Sequence, residues 1–161
     1  MIAHLRGTLA AKSLDSAVIE VGGVGYLVML SSRSLSRLGE VGSDVVVLTH
    51  LQVRDDAFVL YGFLTQEEKD LFLRLTSVSS VGPKVALSVL STYAPAEVVS
   101  AIAAQDLAAI QRVPGVGKKM ASRIVLELKE SFGDDIQAVL AGRSEQALNA
   151  QKAATEALLS M

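Results

Sequence analysis

The sequence predicts an α+β protein of two domains, a five-stranded N-terminal β-barrel followed by an all-α domain built on a duplicated helical hairpin. Three observations carry this reading. Residues 1 to 63 are short runs of β-branched, aromatic and leucine residues, the apolar period lengthens to that of a helix from Thr65, and one Gly-Lys signature occurs twice at a separation of 35 residues.

The β-rich runs are Leu5 to Leu9, Ala17 to Val21, Tyr26 to Leu30, Asp44 to Val53 and Phe58 to Tyr61. Gly22-Gly23-Val24-Gly25 joins the second to the third, and Asp55-Asp56 sits in the turn between the last two. Five short strands with such punctuation describe a small closed barrel of the OB type, with Ser34 to Leu38 as a helical turn across one end. Its aromatics, Tyr26, Phe58, Tyr61 and Phe63, are too few for a channel that stacks single-stranded bases.

At Thr65-Gln66-Glu67-Glu68 an N-cap with acids in the first turn opens a helix through Leu71, Phe72 and Leu75. The first hairpin, Ser79-Ser80-Val81-Gly82-Pro83, leads into a helix over Ala86 to Leu90. Ala94-Pro95-Ala96-Glu97 and Asp106-Leu107-Ala108 open two more, and a final helix runs to about Ser131, with Gly133-Asp134-Asp135 ending it. The expected division is therefore a barrel over 1–64, a helical domain over 65–141, and a polar linker over 142–152. An amphipathic helix begins at 153–161; alone it would be marginal, so a further C-terminal module is expected of this molecule.

The organising stretch is Arg112 to Lys129. Pro114-Gly115-Val116-Gly117 makes a tight turn, and Lys118 opens a helix with Met120, Ile124 and Leu128 on one face. Lysines in a first helical turn oppose the helix dipole, so Lys118 followed by Lys119 predicts an anion that offsets them. Glycines allow close approach, and the unpaired N–H groups of a helix start point at that anion. The stretch holds five basic residues and one acid, Glu127, although the whole chain carries a net charge of −2. Val81-Gly82-Pro83-Lys84-Val85-Ala86 matches Val116-Gly117-Lys118-Lys119-Met120-Ala121 in Val, Gly, Lys and Ala. A single Gly-turn-helix is also how any helical hairpin is built; two copies with lysine at the same place describe tandem helix-hairpin-helix motifs that hold nucleic-acid backbones without reading bases.

Mild overall acidity opposes such binding only if charge is evenly spread. It is segregated: acids gather at 55–56, 67–70 and 134–135, away from the hairpins. No run of 18 residues lacks polar side chains, so neither a membrane span nor a secretory signal is expected. Cysteine is absent, which removes disulfides and thiolate metal sites and suits a cytoplasmic setting. His4 and His50 read as structural, and no metal or cofactor is expected. Gly117-Lys118 lacks the upstream glycine of a nucleotide-phosphate loop, and no nucleophile elbow occurs, so the chain reads as a binder with no catalytic residues. Two alternatives keep a place: a hairpin-containing glycosylase using Asp134, and a purely structural oligomerisation domain.

Taken together, Met1-Ile2-Ala3-His4-Leu5-Arg6-Gly7, Val53-Arg54-Asp55-Asp56-Ala57, Leu60-Tyr61-Gly62-Phe63, Val81-Gly82-Pro83-Lys84 and Val113-Pro114-Gly115-Val116-Gly117-Lys118-Lys119 resemble the RuvA family across residues 1 to 141. That resemblance implies a homotetramer, or an octamer of two such tetramers, that holds a four-way DNA junction open for a hexameric ATPase, RuvB, in concert with the RuvC resolvase. It places Ser80, Val81, Gly82, Lys84, Gly115, Val116, Gly117, Lys118, Lys119 and Arg123 at the DNA backbone. Asp55 and Asp56 fall on the family's central acidic pin. The sequence departs from the family at Ser80, where glycine is usual and where serine weakens a left-handed turn while offering a hydroxyl to phosphate.

Overall fold

A computed structural model describes residues 1–132. The linker, the C-terminal helix, Asp134 and Asp135 lie outside the described residues. Five strands, β1 (His4–Lys12), β2 (Ser16–Val21), β3 (Val24–Met29), β4 (Asp44–Val53) and β5 (Phe58–Phe63), close a barrel in the order β1-β2-β3-β5-β4. Helix α1 (Ser32–Arg37) crosses its end between β3 and β4, as the sequence predicts. Six helices are described in all: α1, then α2 (Gln66–Ser77), α3 (Pro83–Thr92), α4 (Pro95–Ala103), α5 (Leu107–Gln111) and α6 (Lys118–Ser131).

Closure depends on β1, which pairs with β4 through residues 4 to 8 and with β2 through residues 8 to 12. A register shift between Leu9 and Ala11 bends it from one neighbour to the other. Before the bend, a Cβ on Gly7 would overlap the Glu20 carbonyl oxygen, a backbone atom that cannot turn aside. The last seam is a short parallel one, Val28 with Leu60 and Met29 with Tyr61. Leu5, Leu9, Ile19, Val28 and Val47 fill the barrel, and Leu35 and Leu38 stop its end.

Strand β5 serves both layers. Leu60 points into the barrel, whereas Tyr61 and Phe63 point outward and meet Phe72 of α2, each with ring centroids 5.0 Å from it. Those two aromatics are thus core of the helical layer and present no stacking platform to bases. Around Phe72 the helices bury Leu75, Val89, Ile102, Ile110, Ile124 and Leu128. Thr65 caps α2 by accepting from the Glu68 N–H at 3.2 Å, and Asp106 caps α5 by accepting from Ala109 N–H at 3.1 Å.

The Glu68 side chain, an ordinary first-turn acid by its sequence position, is buried. It accepts from Ser34 Oγ at 3.0 Å and from the Leu64 N–H at 3.3 Å, and pairs with Arg37 at 3.4 Å. A second tie runs from the Ser32 N–H to Ser91 Oγ of α3 at 3.0 Å. Among the described residues no single helix is long and apolar enough to cross a membrane.

Replacing Gly7 by alanine forces β1 away from β2; overpacking against rigid backbone costs about 3 kcal/mol, and denaturant unfolding is expected to show a midpoint lowered accordingly. His50, packed beside Phe72, is held below its ordinary pKa by desolvation first, then by Lys69 and the N-terminus. A depressed histidine binds protons better when unfolded, so its contribution is full above the ordinary value near 6.5 and is lost as pH falls below it. Thermal melts of the native chain and His50→Gln between pH 7.5 and 5 are expected to show a steeper acid decline for the native chain.

Candidate nucleic-acid interface

The duplicated signature folds into two superposable turns. Between α2 and α3, Val81 N–H donates to the Val78 carbonyl at 3.1 Å; between α5 and α6, Val116 N–H donates to the Val113 carbonyl at 3.1 Å. The residue before each valine is left-handed, Ser80 with φ 73° and Gly115 with φ 89°. The residue after it is an extended glycine that caps the next helix, Gly82 at φ −93° and Gly117 at φ −92°. Ala86 then bonds back to Gly82 at 3.0 Å and Ala121 to Gly117 at 2.9 Å. The identity of position in the sequence is thus an identity of backbone.

A glycine N-cap has no side-chain oxygen, and neither helix start has a side-chain cap. The first-turn N–H groups of α3 and α6 are therefore available to an outside acceptor, with the positive end of each helix dipole behind them. Lys84 lies at the start of α3, Lys118 and Lys119 at the start of α6, and all three side chains are exposed. Each helix start thus combines N–H groups without a side-chain cap and lysine charge.

Val81 and Val116 have another task. Their side chains are buried, 6% and 7% exposed, and their N–H groups are spent inside the turns. They anchor the hairpins to the core, and the exposed polar surface around them is that of Ser80, Gly115, Gly117 and the cationic side chains. On α6 the buried face is Ala121, Ile124, Val125 and Leu128, with Met120 at its edge.

Three contacts set the two hairpins side by side. Ser88 Oγ of α3 donates to the Pro114 carbonyl at 2.9 Å, Val85 Cγ2 lies 4.0 Å from where a Gly115 Cβ would stand, and Arg123 Nη1 of α6 donates to Ser80 Oγ at 2.9 Å. None of these has a signal in the local sequence, since each joins residues 26 or more apart. Arg74, by contrast, lies away from this surface: it donates to the Ser131 carbonyl at the end of α6 and stacks 4.6 Å from the Phe132 ring centre.

Asp55 and Asp56 form the exposed tip of the β4–β5 hairpin. Arg54 and Ala57 exchange backbone bonds across its base, Arg54 N–H to Ala57 O at 2.8 Å and the reverse at 3.4 Å. The tip is at the opposite end of β5 from α2, six residues or about 20 Å of strand away. Among the described residues no group of three His, Cys, Asp or Glu side chains converges as a metal site.

Two family models match the chain: one described as the RuvA N terminal domain over residues 1–62, the other as a SAM-like helix-hairpin-helix tandem over residues 72–130. Among curated relatives, proteins named Holliday junction branch migration complex subunit RuvA are 56% identical over 133 residues in Symbiobacterium thermophilum, 47% over 161 in Acidobacterium capsulatum and 42% over 161 in Methylibium petroleiphilum. These alignments cover 83%, 100% and 100% of this chain, and 65%, 81% and 83% of the respective relatives.

If the start of α6 holds phosphate, Lys118→Ala weakens DNA binding to all sequences alike and reduces the slope of log affinity against log salt by about one. Anisotropy titrations on two unrelated sequences over a salt series measure both quantities; a change in sequence preference instead would assign Lys118 to base reading.

Proposed function

This chain belongs to the RuvA family, and from that premise we propose that it binds four-way DNA junctions by their structure, holding them open for branch migration in recombination and repair. The observation that carries the proposal is the pair of matched hairpins lying side by side, each offering uncapped helix N–H groups and lysine to an anion. Backbone donors and point charges recognise phosphates, which every sequence shares, and so give affinity without base preference. Two seats on one rigid surface grip one duplex arm, and four subunits hold four arms.

In such a homotetramer, or an octamer of two, the β4–β5 tips meet near the crossover. Two unit charges about 10 Å apart in water repel by roughly 0.4 kcal/mol. One such pair decides nothing. Eight carboxylates, Asp55 and Asp56 from each subunit, disfavour a central phosphate by about 3 kcal/mol before salt screening, enough to direct separated strands outward into neighbouring arms. The protein is read as non-catalytic. A partner ATPase of the RuvB type drives migration through the segment after the helical domain, and a RuvC-type resolvase acts on the same junction. The working division remains 1–64 for tetramer core and pin, 65–141 for DNA binding, 142–152 as linker and 153–161 as the start of motor contact, in the cytoplasm.

Competition between an immobile four-way junction and linear duplex of the same arm sequence, at two salt concentrations without metal, tests this reading. The junction is expected to win by tenfold or more, with both affinities falling as salt rises. Equal affinity would reduce the chain to a general backbone binder, and no binding would return the hairpins to a structural role.

A further inference from the structure

The two anion seats are unequal. The second has Lys118 and Lys119 at its helix start, whereas the first has Lys84 alone, and Pro83 at the first helical position removes one N–H. By count of donors and charges the first seat is the poorer. Arg123 lies five residues into α6, beyond the first turn where its own helix start acts on an anion. Its guanidinium instead crosses to the first hairpin and donates to Ser80 Oγ at 2.9 Å. Ser80 in turn holds φ 73°, a left-handed backbone that an L-residue with a Cβ adopts at a cost and that glycine adopts freely. A strained residue persists only where the surrounding structure holds it, and the Arg123 bond to its hydroxyl is such a hold.

We propose that Ser80 is a positioning residue of the phosphate site, its hydroxyl holding the Arg123 guanidinium over the first hairpin so that a cation from the second hairpin's helix completes the poorer seat. The proposal rests on the junction-binding reading. Arg123 gives Ser80 one N–H and keeps the rest of its fork for a phosphate oxygen; the Ser80 O–H, having accepted, still donates to the same anion. The bridge makes the hairpins a single clamp and restores to the first what Pro83 removes.

The proposal separates two properties of position 80 that ordinarily travel together: ease in a left-handed turn and possession of an acceptor. Ser80→Gly keeps the first and loses the second, while Ser80→Asn keeps both, because asparagine tolerates this conformation and its amide oxygen accepts from arginine. Melting temperature and junction affinity are measured for the native chain, Ser80→Gly, Ser80→Asn, Arg123→Ala, the Ser80→Gly/Arg123→Ala pair and Lys118→Ala. Ser80→Gly is expected to melt at or above the native temperature yet bind the junction roughly fivefold more weakly. Ser80→Asn is expected to bind within twofold of native, and Ser80→Gly to add nothing once Arg123 is alanine. A merely structural serine would move stability and affinity in the same direction. Affinity unchanged in Ser80→Gly, or independent losses from the two substitutions, would overturn the proposal while a weakened Lys118→Ala left the junction reading standing. Absence of salt-sensitive binding by the native chain would overturn both.

Discussion

A charge out of water needs partners, and the buried carboxylate of Glu68 finds them in three places at once. Ser34 and Arg37 come from the helix that stops the barrel, and the Leu64 N–H from the strand end that leads into α2. Burying this group without them would cost several kcal/mol, so an arrangement that satisfies Glu68 also brings α1 and the start of α2 together. Phe72, one turn further on, then meets Tyr61 and Phe63 of β5. The ion and the aromatic cluster fix α2 against the barrel, and the hairpins follow from α2. The placement of the first hairpin turn is thereby decided some twelve residues earlier, at a carboxylate buried between the two layers.

What could be read from the sequence was local. The Thr65 and Asp106 caps, the β4–β5 turn and the repeated Gly-Lys signature are each set by residues within a few positions, and the structure places the corresponding elements there. The α3 helix is longer than its apolar stretch, Pro83–Thr92 instead of Ala86 to Leu90, because proline at the first position starts a helix as readily as it would stop one further in. Long-range pairing left no such trace. The helical period puts Glu68 on the face of Leu71, Phe72 and Leu75 and leaves Glu67 off it, but nothing local says which groups from α1 satisfy the buried carboxylate, and nothing in the alternation of β5 says that Tyr61 and Phe63 serve a second core. Val81 and Val116 show the limit differently. A repeat reports that a position matters in both copies; that both valine side chains are buried shows only in the fold.

On the proposed reading, the hairpins are a binding surface indifferent to sequence. Donors held by a helix start cannot follow the edge of one base and ignore another; they meet whatever oxygen lies at phosphate spacing. Such rigidity needs turns that do not give, which the Val78–Val81 and Val113–Val116 bonds and their buried valines supply. On the same reading the cationic side chains add charge on flexible stems to a geometry that resides in the backbone.

The barrel's parallel seam has a consequence for how the two layers depend on each other. Only Val28 with Leu60 and Met29 with Tyr61 join β3 to β5, whereas every other neighbouring pair is antiparallel with at least four partners in register. Opened there, the sheet still runs β3-β2-β1-β4-β5 without another break, and its far edge is the strand that shares its outer side chains with Phe72. The contacts of β5 with the helices therefore do not depend on the β3–β5 seam, whose closure carries a loop entropy of its own. The β3–β5 seam, with only these two pairs in register, is thus the shortest ladder in a cylinder whose other seams are all longer.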